Sequence, residues 1–210
     1  LELIAVLIRE GFEVWVVSAS NVWSVRWVVS TCLNPRLREH GVERGIPPER
    51  VRGVATILSD RRGRWLKDEV LVRENPRYAS FEPAVMKGLR LTRHLQHPAP
   101  AYSGKVGAIW DSLGQRPYLA IGDSPGDHAM LSFSERRLWI ARLEKPDYQE
   151  ATVPWRKRSG PAKWIVQPVL SRGTPGFLPS VARVGELLPE PSPRVCRSLE
   201  LWRKAGVRFG

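Results

Sequence analysis

The chain has 210 residues, 42% of them hydrophobic and 26% charged, which is enough to bury a domain core and too apolar for a disordered chain. Its net charge is +12, from 26 Arg and 7 Lys against 21 acidic residues, so its surface attracts anions: phosphorylated small molecules, nucleic acid or acidic membranes. The two cysteines, Cys32 and Cys196, exclude a disulfide framework and a cysteine-based metal site, and no apolar run reaches the roughly 18 residues of a transmembrane helix.

Residues 1–10 carry apolar positions on a helical face and predict a helix stopped by Gly11. The continuous apolar run Val14 to Val17 predicts a parallel strand buried on both faces, and it ends in Ser18-Ala19-Ser20. Residues 21–33 predict a helix that ends before Asn34-Pro35, with a further short helical stretch to Gly41. Val51 to Leu58 reads as a strand and Arg64 to Val72 as its return, with Arg62-Gly63 in the hairpin turn. Residues 73–103, with Pro76, Pro83, Pro98 and Pro100, read as irregular. A short helix is expected over 104–114, starting near Lys105. Leu119 to Ile121 is a second buried strand, running into Gly122-Asp123-Ser124 and then a helix with Pro125 in its first turn. Leu138 to Ile140 and residues 162–170 read as further strands, and the Pro- and Arg-rich stretch from about Pro189 carries one helical segment at 196–205.

This alternation predicts an α/β fold, a Rossmann-like parallel sheet with a small β-hairpin insert. The expected division is a core over residues 1–188 with the insert around 52–103, then a Pro/Arg-rich tail over 189–210. Ligands of such sheets bind at the carboxyl ends of the strands, where both polar clusters are expected. Asp123 and Asp127, four apart across a strand-to-helix turn, suit a hard cation such as magnesium, which takes a few carboxylates plus waters and phosphate oxygens. Ser18 can donate to a phosphate oxygen, and Lys105 at a helix start can neutralise phosphate charge. Taken singly, each residue also has an ordinary reading: Ser18 as a helix cap, Lys105 as a solvated lysine, the Gly-Asp-Ser-Pro-Gly-Asp run as a turn and Asp127 as a carboxylate on a helix dipole.

In this order, "VWVVSAS", "GKVGAIW" and "YLAIGDSPGDHAML" resemble the second, third and fourth motifs of the haloacid dehalogenase superfamily. The likeness is to its phosphoserine phosphatase-like branch, including phosphorylcholine phosphatase-like members, and it covers about residues 1–145. The resemblance implies magnesium-dependent hydrolysis of a small phosphate monoester through an aspartyl-phosphate. By position it makes Ser18 and Lys105 the catalytic pair, Ser18, Ser20, Asn21 and Lys105 the substrate contacts, and Asp123 and Asp127 the metal ligands.

One departure stands against it. The family's first motif supplies the nucleophilic aspartate, and residues 1–17 contain no Asp; Asp60 lies in the hairpin turn, the wrong context. The chain, which starts at Leu1 with no leader, is therefore expected to be the C-terminal portion of a longer or processed protein and inactive alone, its cap domain also missing. The expected partner is a small phosphorylated metabolite, without a membrane, in the cytoplasm, with periplasm or secretion left open. Two alternatives remain, an inactive phosphate-binding protein and a basic nucleic-acid-binding one. Against the latter, Trp15, Trp139 and Trp164 look like core and the arginines are scattered along the chain. Ser18, Lys105, Asp123 and Asp127 are expected to converge on one ligand pocket.

Overall fold

A computed structural model describes residues 1–170, 176–177 and 190–207, and it forms two compact units, Leu1–Ser112 and Leu113–Gly210. The fold is mixed α/β with parallel strand pairing in both units, the Rossmann-like class that the sequence predicts. No helix among the described residues is long and apolar enough to cross a membrane.

In unit one, helix α1 (Glu2–Arg9) buries Ala5 and packs Ile4 and Ile8 on a core of Val29, Leu37, Val42, Ile46 and Val51. Strand β1 (Val16–Asn21) starts and ends later than the apolar run suggests, and it pairs in parallel with β2 (Val51–Val54), Val16 opposite Val51 and Val17 opposite Arg52. Helix α2 (Val22–Val28) does not stop at the Asn34-Pro35 step. It passes through a π-helical turn over Val29–Leu33 into α3 (Asn34–Glu39), and the Asn34 amide bonds the Val29 carbonyl. Pro35, which has no N–H to continue the ladder, stands directly after this π-helical turn. The Asn34 side chain then closes the following loop, accepting from the Ile46 amide at 2.8 Å and donating to the Ile46 carbonyl at 2.9 Å.

The expected hairpin forms, with a correction. The expected strand Val51 to Leu58 is two strands in separate sheets, β2 beside β1 and β3 (Thr56–Ser59) in another. Strand β3 pairs with β4, but β4 is only Trp65–Leu66, and the rest of the expected return strand is helix α4 (Asp68–Glu74). The reason lies in the residues: apolar positions after Leu66 do not alternate, and Asp68 and Glu69 stand in the first turn of a helix, where acidic groups are favoured. The stretch expected to be irregular holds two short helices, α5 (Pro76–Ala79) and α6 (Pro83–Met86), and a further strand, β5 (Arg90–Leu95), on the other side of β3. Helix α7 (Gly104–Leu113) follows as predicted.

Unit one is held by a buried polar network. Arg26 on α2 makes two hydrogen bonds to Asp68 on α4, Nη1 to Oδ1 at 3.2 Å and Nη2 to Oδ2 at 2.7 Å, with side chains 1% and 6% exposed. The Tyr78 hydroxyl on α5 donates to Asp68 Oδ1 at 2.5 Å and accepts from the Trp23 indole at 2.7 Å. Burial, then the Asp68 charge, pushes the Tyr78 phenol far above its ordinary range, so it stays a donor. A second pair, Arg52 to Glu69 at 2.8 Å, joins β2 to α4, and Arg52 Nε reaches Ser112 on α7 at 2.8 Å.

In unit two, strands β6 (Leu119–Gly122), β7 (Arg136–Arg142) and β8 (Trp164–Leu170) are parallel neighbours, and β9 (Gly176–Phe177) adds antiparallel to β8. Between β6 and β7 the chain makes a 3-10 turn, Pro125–Asp127, and helix α8 (His128–Phe133). Helix α9 (Pro146–Arg158) precedes β8, and α10 (Pro193–Lys204) replaces the expected helical segment at 196–205. The expected boundary at 188/189 lies outside the described residues. Fully buried Gln149 on α9 fastens α10: its Oε1 accepts from the indoles of Trp139 at 2.9 Å and Trp202 at 3.1 Å.

Removing one partner from a buried ion pair leaves an uncompensated charge. Asp68→Ala is therefore expected to destabilise the protein by about 3–5 kcal/mol, and Tyr78→Phe by only about 1–2 kcal/mol, in urea unfolding followed by tryptophan fluorescence. An Asp68→Ala midpoint equal to the parent's would show that the pair does not hold the unit together.

Candidate functional site

Unit one brings Lys105 to the backbone beside Ser18, but β1 runs on to Asn21, so Ser18 lies within the strand and not at its carboxyl end as expected. The Lys105 side chain, 8% exposed on the first turn of α7, donates from Nζ to the Val17 carbonyl at 3.2 Å, one residue before Ser18. It is therefore not a solvated lysine. The helix can start so close to the preceding loop because residue 104 is glycine; a Cβ there would run into the Ala99 carbonyl oxygen. Nor is Ser18 the cap of α2. That role belongs to Asn21, whose Oδ1 accepts from the amides of Trp23 at 3.0 Å and Ser24 at 3.3 Å. Ser18 Oγ instead accepts from the Ser20 amide at 3.1 Å, which leaves its hydroxyl hydrogen to donate. Ser20 and Asn21 follow as exposed residues, Asn21 with its side-chain oxygen engaged by the helix.

Unit two places Asp123 and Asp127 at the carboxyl end of β6, in different states. Asp127 is 5% exposed and organises the turn: its Oδ2 accepts from the Asp123 amide at 3.2 Å, the Ser124 amide at 3.1 Å and the Ser124 hydroxyl at 3.0 Å. This is a capping box, and it needs Gly122, because a Cβ at that position would lie 2.6 Å from the Asp127 Cβ. The Asp123 carboxylate is turned outward, its side chain 48% exposed, with Arg142 Nη1 at 3.3 Å from Oδ2. Arg142 ends β7 beside β6, so it belongs to this rim and was not among the residues the sequence singles out. Its signal was the run Arg136 to Arg142, which continues two residues past the expected end of that strand at Ile140.

Next to this rim, His128 is buried, its Nε2 2.9 Å from Thr152 Oγ1. Thr152 donates its hydroxyl to the Tyr148 carbonyl at 2.7 Å, so its oxygen must accept and His128 carries the proton on Nε2. Burial lowers the His128 pKa and keeps the ring neutral.

Each pair is described within its own unit: Ser18 with Lys105 in the first, Asp123 with Asp127 in the second. A cavity of about 560 Å³ in unit one, lined by Val29, Ile46, Val72 and Arg73 among others, includes neither Ser18 nor Lys105. Among the described residues, no group of three or more His, Cys, Asp or Glu side chains is arranged to hold a metal ion. The donor set at the second rim is one outward carboxylate with a second carboxylate behind it. That suits magnesium only in its usual form, with waters and substrate oxygens completing the shell. Arg142 must leave Asp123 Oδ2 for an ion to take that oxygen.

Compared with known proteins, the chain matches no family model and no curated protein sequence.

Gly122→Ala forces the added methyl group into Asp127, so the capping box must open. The variant is expected to lose about 1–3 kcal/mol of stability, visible as a lower thermal midpoint. An unchanged midpoint would mean that the turn does not depend on the close approach of Asp127.

Proposed function

We propose that the chain is the C-terminal portion of a magnesium-dependent phosphatase acting on a small phosphate monoester, its nucleophilic aspartate supplied from outside residues 1–210. The observation that carries this reading is the buried Lys105 ammonium, tied to the Val17 carbonyl beside Ser18. An ammonium held beside the backbone of β1 can donate to an anion as well, and phosphate oxygens are strong acceptors for it. Ser18, its oxygen already accepting from the Ser20 amide, donates its hydroxyl hydrogen to a phosphoryl oxygen. Lys105 offsets charge that builds on the phosphoryl group during transfer.

On the second rim Asp123 would hold the metal, with Asp127 fixing the turn that carries it. Magnesium held there would supply Lewis-acid charge for phosphoryl transfer. Arg142 is the cation beside Asp123 on this rim. An aspartate nucleophile splits hydrolysis into formation and breakdown of an aspartyl-phosphate. Support for this function comes from the order of the three sequence motifs together with these two rims.

The test uses an aryl phosphate with magnesium. The chain of 210 residues is expected to show only background turnover. The longer protein, prepared with the sequence encoded upstream of Leu1, is expected to be active. In it, Asp123→Asn abolishes turnover and Asp127→Asn lowers it by about 10- to 100-fold. Full activity in both variants would sink the metal assignment. Phosphate binding without turnover in the longer protein would favour an inactive phosphate-binding protein.

A further inference from the structure

Folding gathers arginines that are scattered in the sequence. The three-stranded sheet β4-β3-β5 and its turn contain Arg61, Arg62, Arg64, Arg90 and Arg93 against one acid, Asp60, and all five arginines are exposed. The turn is rigid. Asp60 Oδ1 accepts from the amides of Arg62 and Arg64, each at 2.9 Å, and Asp60 Oδ2 accepts from Arg64 Nε at 2.7 Å. The single acid is thus taken up by Arg64, and Arg61, Arg62 and Arg90 keep their full charge with no carboxylate partner among the described residues. Register then places an aromatic beside them: Ser59 lies opposite both Trp65 and Arg90, so these three form one row across the sheet. Trp65 is 65% exposed, and the His94 ring lies against it with centroids 5.0 Å apart and planes tilted 35°.

We propose that this face binds single-stranded nucleic acid, with bases stacked on Trp65 and His94 and phosphates held by Arg61, Arg62 and Arg90. The chemistry is specific to that occupant. Flat rings next to unpaired arginines suit unpaired bases on a phosphate backbone. Three strands span about 10 Å, room for a short single-stranded run and too narrow to cradle a duplex. An anionic membrane would want aliphatic groups beside the tryptophan. Here the exposed Leu91 lies opposite Leu58, and Leu58 and Ser59 point to opposite faces of β3, so the aliphatic side is turned away from Trp65. The proposal is independent of the phosphatase reading, since it uses none of the residues at the two rims.

The experiment is fluorescence anisotropy of a short labelled oligothymidylate with the full chain, in salt from about 50 to 200 mM. Binding is expected with a slope of about −2 in log affinity against log salt, three arginines contributing about −0.7 each on a single strand. Arg61→Ala with Arg62→Ala is expected to remove about 1.4 of that slope. Trp65→Ala is expected to weaken binding about 5- to 150-fold without changing the slope, whereas Trp65→Phe, which keeps a ring, retains most of the affinity. Trp65 is exposed, so neither variant threatens the fold, and unchanged unfolding midpoints confirm it. The proposal is overturned by any of three results: no binding at low salt, equal affinity for the duplex, or no effect of Trp65→Ala. Phosphatidylserine vesicles bound through Trp65 in place of the oligonucleotide would also overturn it, in favour of a membrane surface.

Discussion

The buried Arg26–Asp68 pair decides how unit one is built. A charge that deep is stable only if every charged neighbour is in place, and here the pair is bidentate, with Asp68 also accepting from Tyr78 and its amide bonded to Gln96 Oε1 at 3.1 Å. The Tyr78 hydroxyl in turn satisfies the Trp23 indole. Three segments are therefore fixed by one carboxylate, α2, α4 and α5, and the residues after β5 are tied to the same residue through its amide. Asp68 comes two residues after Leu66, and there the return strand gives way to α4, whose first residue meets Arg26.

Unit two fastens its last helix with neutral groups. Gln149 satisfies two indoles with one oxygen and donates its amide hydrogens to the carbonyls of Arg142 at 2.9 Å and Lys145 at 3.0 Å. The Ser198 hydroxyl on α10 donates to the Leu143 carbonyl at 2.7 Å. These bonds hold the end of β7, and hence Arg142, in place beside Asp123. At the turn after β6 the two carboxylates divide the work. Asp127 is saturated by amide donors and rigid, whereas Asp123 has one cationic neighbour and open solvent, which leaves it able to exchange partners.

The sequence was most legible where one physical signal dominated. The apolar run at Leu119 to Ile121 with the glycine and acids after it marks β6 and its turn within a residue, because strand propensity and turn chemistry agree, but the strand is not buried on both faces as expected: Ile121 is exposed between buried Ala120 and Gly122. Lys105 and Ser18 were identified as neighbours in a rim, and the carbonyl that joins them is the one preceding Ser18. Strand β5 was hidden because its residues are mostly exposed, so it has no buried face to set an alternating pattern. Helix α9 was hidden by Pro146 and Pro154: the first is an ordinary helix start, the second an interior proline that the packing around Gln149 and Thr152 overrides. The expectation that Trp15, Trp139 and Trp164 are core holds for Trp139 and Trp164, at 0% and 7% exposure, whereas Trp15 is only half-buried.

Net charge was the bluntest of these signals, because equal charges in the sequence have unequal fates in the fold. Arg26 and Arg52 are buried against acids that offset their charge, whereas buried Arg137 is bound to the neutral carbonyls of Leu131 at 2.8 Å and Ser132 at 3.3 Å, which satisfy its donors without cancelling its charge. The excess that remains is concentrated where carboxylates are few, and the hairpin turn is such a place. Lys105 represents the opposite arrangement, a single cation shielded from solvent and aimed by a backbone carbonyl. Salt separates the two. Exposed charges are screened over a Debye length of about 8 Å at physiological ionic strength, whereas a shielded ammonium in contact with its acceptor is screened far less. If anions bind at both places as proposed, binding at the turn weakens more steeply with salt than binding at Lys105, which distinguishes the two in one protein without any mutation.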